Sequence, residues 1–345
     1  MTQLDLPVQL GETVGDDYRL DEVIGHGGMG VVVRATHGPL GLPVAIKFMR
    51  RDVCRDDGQI SRFIQEAGML ARLATEHVPQ VIELAHLPDG EPYLVMELLE
   101  GQDLGQRLSL GPIDLDQTLD VVTQACEGLA EAHRQGIIHR DLKPENLFLA
   151  WESGRMVTKV LDFGCSKQAT SLSRPPRHGG RAVTAPGIGL GTAAYMAPEQ
   201  WRSAREVDAR ADLWSLGVIL YELLADRHPF PADCVGQLML QIGRGEVTPL
   251  VELRPDLPRQ LTDLVHRCLA VDPRDRPDSV DVLLATLRAL RLTASVGAAA
   301  MPRDATAAGR GRPSRPSCLS TEIAVETWQP RPFGAMSSSP ASAPG

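Results

Sequence analysis

From Tyr18 the chain alternates polar and apolar residues at the period of a β-strand, Tyr18-Arg19-Leu20-Asp21-Glu22-Val23-Ile24. It then passes through Gly25-His26-Gly27-Gly28-Met29-Gly30 into the β-branched run Val31-Val32-Val33, which predicts strand, glycine turn, strand. A further strand is expected from Pro43 to Met49, where Lys47 interrupts an apolar run. Apolar residues at Ile60, Phe63, Ile64, Ala67, Leu70 and Ala71 follow the 3.6-residue period of a helix. Two strands, Val81 to Leu87 and Glu91 to Met96, are joined by a Pro88-Asp89-Gly90 turn. The pattern breaks at Glu97-Leu98-Leu99-Glu100-Gly101, the natural place for a hinge.

Beyond the hinge helices dominate. Asp114 with Gln117 resembles an N-terminal cap, and Leu119, Val122, Ala125, Cys126, Leu129 and Ala132 form the apolar stripe of a helix ending near Gly136. A short hairpin is expected from Leu147 to Ala150 and Met156 to Leu161, around Glu152-Ser153-Gly154-Arg155. An apolar helix covers Asp212 to Tyr221, and amphipathic helices run from about Arg259 to Ala270 and Ser279 to Leu290. Residues 1–17 lack periodicity and read as a leader. From 292 the chain is Ala, Pro, Ser, Gly and Arg, too little apolar surface to offset chain entropy, so 292–345 is expected to be a disordered tail. No internal repeat is visible.

Charge and cysteine usage narrow the class. Lys plus Arg number 35 against 44 Asp plus Glu, a net charge of −9 that repels a nucleic-acid backbone. The six cysteines are scattered, with no C-x-x-C pair and no histidine at metal-ligand spacing, which suits reduced, packed thiols. The first ten residues lack the basic start and apolar run of a signal peptide. No stretch reaches the roughly 18 uninterrupted apolar residues of a membrane helix. A cytoplasmic enzyme without nucleic-acid or membrane partners is the expectation.

Chemistry-bearing residues occur in a fixed order. Gly25, Gly27 and Gly30 make a G-x-G-x-x-G turn, which lets backbone N–H groups approach a polyphosphate but also fits a plain hairpin. A dinucleotide-binding fold needs a helix after those glycines, and the strand found there excludes it. Lys47 either reaches solvent from a strand edge or meets Glu66 of the following helix as a buried pair. Ile138-His139-Arg140-Asp141-Leu142-Lys143-Pro144-Glu145-Asn146-Leu147 then sets a base, an acid and an amide within one loop. Asp162-Phe163-Gly164 follows, then a long polar stretch at 165–190, then Gly191-Thr192-Ala193-Ala194-Tyr195-Met196-Ala197-Pro198-Glu199. A structureless loop of that length in a compact domain is usually functional or mobile.

That order resembles the eukaryotic-like Ser/Thr protein kinase family, bacterial members included, over about residues 18–291. The resemblance implies an α+β, bilobal protein-kinase fold: residues 18–97 as a small antiparallel sheet with one main helix, and 98–291 as hinge and larger helical lobe. It implies ATP and Mg²⁺ (or Mn²⁺) as cofactors, and Ser/Thr-containing proteins as substrates. Asp141 would accept or orient the hydroxyl proton, Lys143 would neutralise the transferring phosphate, and Lys47 would hold phosphates while oriented by Glu66. Asp162 and Asn146 would ligate metal. Ile24, Gly25, Gly27 and Gly30 would cover the nucleotide. Val32, Ala45 and Phe148 would sandwich adenine, the Glu97 carbonyl and Leu99 amide would read its edge, Met96 would be the gatekeeper and Asp103 would meet the ribose. Thr192 would shape the substrate floor.

The same resemblance implies structural roles. His139 would pack in the core with Leu70, Leu84 and Phe163, Glu199 would pair with Arg276, and Asp212 would cap the backbone of the catalytic loop. Arg140 before Asp141 implies a cation awaiting an anion, with Thr184 the best-placed phosphosite ahead of Thr170, Ser171 and Ser173, and a transient dimer for trans-autophosphorylation. Departures are modest: Val33 and Leu98 replace common aromatics, and Arg174 to Arg181 is an unusual basic insert. Two rivals remain, a non-catalytic kinase-fold scaffold and a small-molecule kinase. The presence of Lys47, Asp141 and Asp162 argues against the first, and the Gly191–Glu199 segment against the second.

Overall fold

The computed structural model describes residues 8–27, 30–51, 53–54, 56–163, 190–202 and 207–299. The first part is a six-stranded antiparallel sheet built from β1 (Thr13–Val14), β2 (Tyr18–His26), β3 (Gly30–His37), β4 (Leu42–Met49), β5 (Val81–His86) and β6 (Pro92–Glu97), in the order β1-β2-β3-β4-β6-β5. Alternation sorts its two faces. Val31, Val33, Ala35, Val44, Ile46, Phe48, Tyr93 and Val95 form one buried cluster, so Val32, Ala45 and Lys47 project from the other face. Helix α1 (Asp57–Leu70) covers that second face, packing Phe63 and Ala67 with Met49 and Leu94. Asp56 caps its first turn by accepting the Gly58 N–H at 2.8 Å. Ile64, expected in the apolar stripe, is instead exposed, while Glu66 is buried.

One boundary needs correction at the N-terminal end. Thr13 and Val14, assigned to a leader, pair with Arg19 and Tyr18 as a sixth strand, and Val14 is buried in the sheet's core. A two-residue strand is too short to show a period.

The second part begins with β7 (Gly101–Asp103), α2 (Leu104–Ser109) and α3 (Leu115–Arg134), followed by β8 (Leu147–Glu152) and β9 (Arg155–Val160). The three strands make a small sheet in the order β7-β8-β9, and Ser153 and Gly154 turn its hairpin with positive φ. Helices α4 (Leu190–Ala194), α5 (Pro198–Arg202), α6 (Arg210–Ala225), α7 (Val235–Arg244), α8 (Leu250–Leu253), α9 (Arg259–Cys268) and α10 (Val280–Ala299) complete the described chain. Nearly every residue of α6 is buried, as its all-round apolar sequence requires. Gly217 lets α9 approach closely, since a Cβ there would lie 2.6 Å from that of Cys268. α10 lies on α3 through Arg288–Glu127 and Arg291–Asp120 pairs, both 2.8 Å.

α10 also corrects the expected start of the tail at 292. The helix continues to Ala299 because Leu292 to Ala299 contains no proline and is rich in alanine, the strongest helix former. Residues 300–345 lie outside the described residues.

A buried ion pair ties these helices together. Arg276 is fully buried and bidentate to Glu199, at 2.6 and 2.8 Å, and donates to the carbonyls of Ala270 and Arg210, both at 2.9 Å. Its guanidinium lies 5.1 Å from the Trp214 ring centroid. Removing one partner of such a pair leaves an uncompensated buried charge. Arg276→Ala is therefore expected to lose about 3–5 kcal/mol of unfolding free energy, read as a lowered urea midpoint. An unchanged midpoint would contradict the assigned role.

Candidate active site

The site is assembled from five places in the chain: β4, α1, the loop before β8, the segment after β9, and α4. β4 presents Lys47 on the sheet face covered by α1, and α1 turns Glu66 toward it: Lys47 Nζ lies 3.1 Å from Glu66 Oε1 and 2.6 Å from Asp162 Oδ1. Of the two readings open for Lys47, solvent or pair, the pair is realised. Burial alone would lower the Lys47 ammonium, but the carboxylates of Asp162 and Glu66 push it well above its ordinary value. Lys47 in turn holds the Asp162 carboxyl low, while burial pushes that of Glu66 up. The lysine thus remains a cation, shared by a buried carboxylate and one at the mouth of the site.

The loop from Ile137 to Asn146 is held from beneath by Asp212 of α6. Its two oxygens accept the backbone N–H of His139 at 2.9 Å and of Arg140 at 2.8 Å, and Oδ2 also lies 2.7 Å from His133 Nε2. Burial would raise the Asp212 carboxyl, but the hydrogen bond and field of His133, the field of His139 and the Arg140 backbone hydrogen bond together hold the group below its ordinary value. Arg140 takes a positive φ of 64° here, a strained geometry for a non-glycine residue that these bonds maintain. His139 is fully buried. Its Nδ1 accepts the Asp141 N–H at 3.2 Å and its Nε2 donates to the Leu161 carbonyl at 2.8 Å, so the ring orients the loop against the segment carrying Asp162. Its ring centroid is 4.8 Å from that of Phe163. Leu70 joins Phe163 in the large helical core, whereas Leu84 packs with α1.

Asp141, Lys143 and Thr192 come together: Lys143 Nζ is 3.9 Å from Asp141 Oδ2 and 3.3 Å from Thr192 Oγ1. Asn146, buried in a short 3₁₀ turn, donates through Nδ2 to the Asp141 carbonyl at 2.7 Å, which leaves Oδ1 free to face a cation. The Asn146 carbonyl also accepts the Leu161 N–H at 2.8 Å, tying the loop to the chain just before Asp162. One carboxylate and one amide oxygen suit a hard divalent cation that takes its other oxygens from phosphates and water. No cluster of three or more His, Cys, Asp or Glu placed to hold a metal occurs among the described residues.

The other expected nucleotide contacts are spread over both sheets and the segment between them. Val32 pairs in register with Lys47 and Gly25, and Ala45 with Met96. Gly27 N–H bonds to the Gly30 carbonyl at 2.8 Å, and a Cβ on Gly30 would run into the Phe48 carbonyl, so that glycine is required sterically. Ile24 is exposed at the end of β2. Asp103, Phe148 and Lys159 form one cross-strand row, and Asp103 Oδ1 caps α2 through the Gln106 N–H at 2.8 Å. Glu97 and Leu99 lie at the end of β6 and just after it. Thr184, Thr170, Ser171, Ser173, Gly164 and the basic insert lie outside the described residues.

Two positioning residues were not singled out in the sequence. His133 ends the α3 stripe where a basic residue is ordinary, and Gln200, whose Nε2 donates to the Arg140 carbonyl at 2.8 Å, carries no motif.

An antiparallel sheet with one bridging helix, joined to a helical lobe across a loop of catalytic character, defines the bilobal protein kinase fold. The sequence matches the protein kinase domain family over residues 18–286, and the chain belongs to that family. It is 35% identical over 290 residues to serine/threonine-protein kinase pkn3 of Myxococcus xanthus, covering 83% of this chain and 52% of that protein. It is 35% identical over 267 residues to serine/threonine-protein kinase PknB of Mycolicibacterium smegmatis, covering 76% and 41%. The chain therefore spans about half or less of these relatives' length. The PknI kinase domain of Mycobacterium tuberculosis superposes with a TM-score of 0.59 at 25% identity, over 82% of this chain and 99% of that one. The family uses ATP and a divalent metal. No helix among the described residues is long and apolar enough to cross a membrane.

The lowered Asp212 carboxyl links the site to acid stability. Its folded value lies below the unfolded one, so the unfolded chain takes up the proton first; stability is held above the ordinary carboxylate range and lost as pH falls through the lowered value. Urea midpoints measured from about pH 6 down to about pH 3 are expected to fall steeply for the native chain. Asp212→Asn, less stable at neutral pH, should show a flatter acid limb. Parallel profiles would contradict this.

Proposed function

We propose that the chain is a Ser/Thr protein kinase transferring the γ-phosphoryl group of ATP to hydroxyls of protein substrates. The observation that carries this reading is the joining of Lys47, Glu66 and Asp162 at one end of the site to Asp141, Lys143, Asn146 and Thr192 at the other, through the bonds of Leu161 to His139 and Asn146. Phosphoryl transfer places charge on the equatorial oxygens in flight, so catalysis is mainly positioning and electrostatics. Lys47, kept cationic, binds the α- and β-phosphates. Asp141 accepts the hydroxyl proton or aims the hydroxyl, and Lys143, between Asp141 and Thr192, neutralises the transferring group. Asp162 and the Asn146 amide oxygen would hold Mg²⁺ or Mn²⁺, which when bound would neutralise phosphate charge as a Lewis acid. Thr192 forms the floor that seats the substrate hydroxyl. The Glu97 carbonyl, Leu99 amide, Val32, Ala45 and Phe148 hold the base, beside Met96, and Asp103 the ribose.

The domain limits that go with this reading run from β1 at Thr13 to Glu97 for the sheet lobe, and from 98 to the end of α10 at Ala299 for hinge and helical lobe. The reading goes with a cytoplasmic location for the catalytic region, where ATP is supplied. Radiolabelled ATP with a generic basic protein separates the kinase from a scaffold of the same fold. Asp162→Asn should transfer label about 100- to 1,000-fold more slowly, and equal labelling by the two proteins would overturn the enzyme reading.

Autophosphorylation is the proposed activating step. The Arg140 Nε is buried with no hydrogen-bond partner among the described residues, next to the catalytic aspartate. Phosphothreonine would supply roughly −1.5 to −2 charges to such a cation, within a transient dimer that phosphorylates in trans. After incubation with ATP and Mg²⁺, peptide mapping should find phosphate on Thr184, and Thr184→Ala should abolish the accompanying rise in activity. A rise with Thr184 unmodified would contradict the assignment.

A further inference from the structure

Lys159 is a buried cation to which the mechanism above gives no task. It lies on β9 three residues before Asp162, its side chain only 4% exposed, with Nζ 2.7 Å from Glu97 Oε1 and 2.9 Å from Glu152 Oε1. The two contacts differ. The one to Glu97 is an aligned hydrogen bond, whereas Glu152 Oε1 is buried within ion-pair distance yet lacks a hydrogen-bonded partner. One ammonium thus serves two carboxylates and directs its bond to the first.

Glu97 ends β6 where the chain leaves the sheet for the hinge, and it is clamped from a second side. The same Oε1 accepts the Gln80 N–H at 2.8 Å, and the Gln80 carbonyl accepts the Glu97 N–H at 3.0 Å. Backbone and side chain of the first hinge residue are therefore both fixed, by the segment before β5 and by β9. Lys159 also shares its cross-strand row with Phe148 and Asp103, so it stands on the face that meets the base and ribose.

Stability does not explain such a residue. Taking an ammonium and carboxylates out of water costs about as much as their attraction returns, and apolar replacements of similar volume are often neutral or stabilising. What the pair does supply is direction: a short charge-assisted bond that sets where the Glu97 backbone sits. A base edge read by backbone groups is discriminated only as well as that backbone is held.

We propose that Lys159 is a positioning residue for purine selection, holding Glu97 through its carboxylate so that the hinge backbone presents an edge matched to adenine. The proposal rests on the ATP-dependent reading above. It is tested by kcat/KM for ATP and for GTP in the native chain, in Lys159→Met, in Glu97→Met and in the double variant. Each single variant should lower the ATP-to-GTP ratio about tenfold, the change carried by KM for ATP, and the double variant should be no worse than either single one. A purely structural role would depress both nucleotides alike and leave the ratio unmoved. Folded variants with an unmoved ratio, or additive effects in the double variant, would overturn the proposal. Should Lys159→Met fail to fold, the ratio in Glu97→Met decides by the same criterion. A native chain that turns over neither nucleotide would overturn the kinase reading, and this proposal with it.

Discussion

The carboxylate of Asp212 is the point on which the site depends. It stands on α6, the most completely buried helix, and has no freedom to follow the loop above it. Two successive backbone N–H groups, from His139 and Arg140, end on its oxygens, and His133 supplies a further contact. A buried carboxylate without those donors would be costly, and a loop with Arg140 at positive φ would relax without that carboxylate. Each makes the other tolerable. The result is a rigid floor from which Asp141, Lys143 and Asn146 project in fixed relation.

Helix α1 carries that rigidity toward the sheet. Glu66 meets Lys47 on one side of the helix, while Leu70, four residues on, is buried in the same core as Phe163. The sheet has its own cluster, centred on Val33, Ile46 and Val95, so the two lobes do not share one continuous core. Their communication runs through α1, the hinge and the segment from β9 to Asp162. A displacement of α1 would therefore move Glu66 away from Lys47 and Leu70 away from Phe163 together.

Much of this was legible in the sequence because the informative residues break a local pattern. Lys47 interrupts an apolar strand, Glu66 occupies a buried position of an amphipathic helix, and His139 to Asn146 interrupts two apolar stretches. Alternation in β2, the β-branched run of β3 and the stripe of α3 likewise gave element types directly. What stayed hidden had no pattern to break. β1 is too short to show a period, the end of α10 depends on alanines that composition assigns equally to a tail, and Ile64 occupies an apolar helix position that packing leaves exposed. His133 and Gln200 act only on groups far away in sequence, the Asp212 carboxylate and the Arg140 carbonyl, and nothing local distinguishes them from ordinary helix residues.

The links between the lobes share a physical character. Lys47 to Asp162 and Lys159 to Glu97 are charged contacts set at either end of the nucleotide face, and both lysines are held by more than one carboxylate. Apolar packing is non-directional and tolerates sliding, whereas a charge-assisted bond loses most of its strength when its geometry drifts. Directional contacts of this kind fix the face without enlarging the shared core. They also differ in exposure: Asp162, whose side chain is 61% exposed, can exchange Lys47 for another cation, while the Lys159–Glu97 contact is shielded behind the hinge. The end of the site where chemistry occurs is thus held by a replaceable pair, and the end that holds the base by a sheltered one.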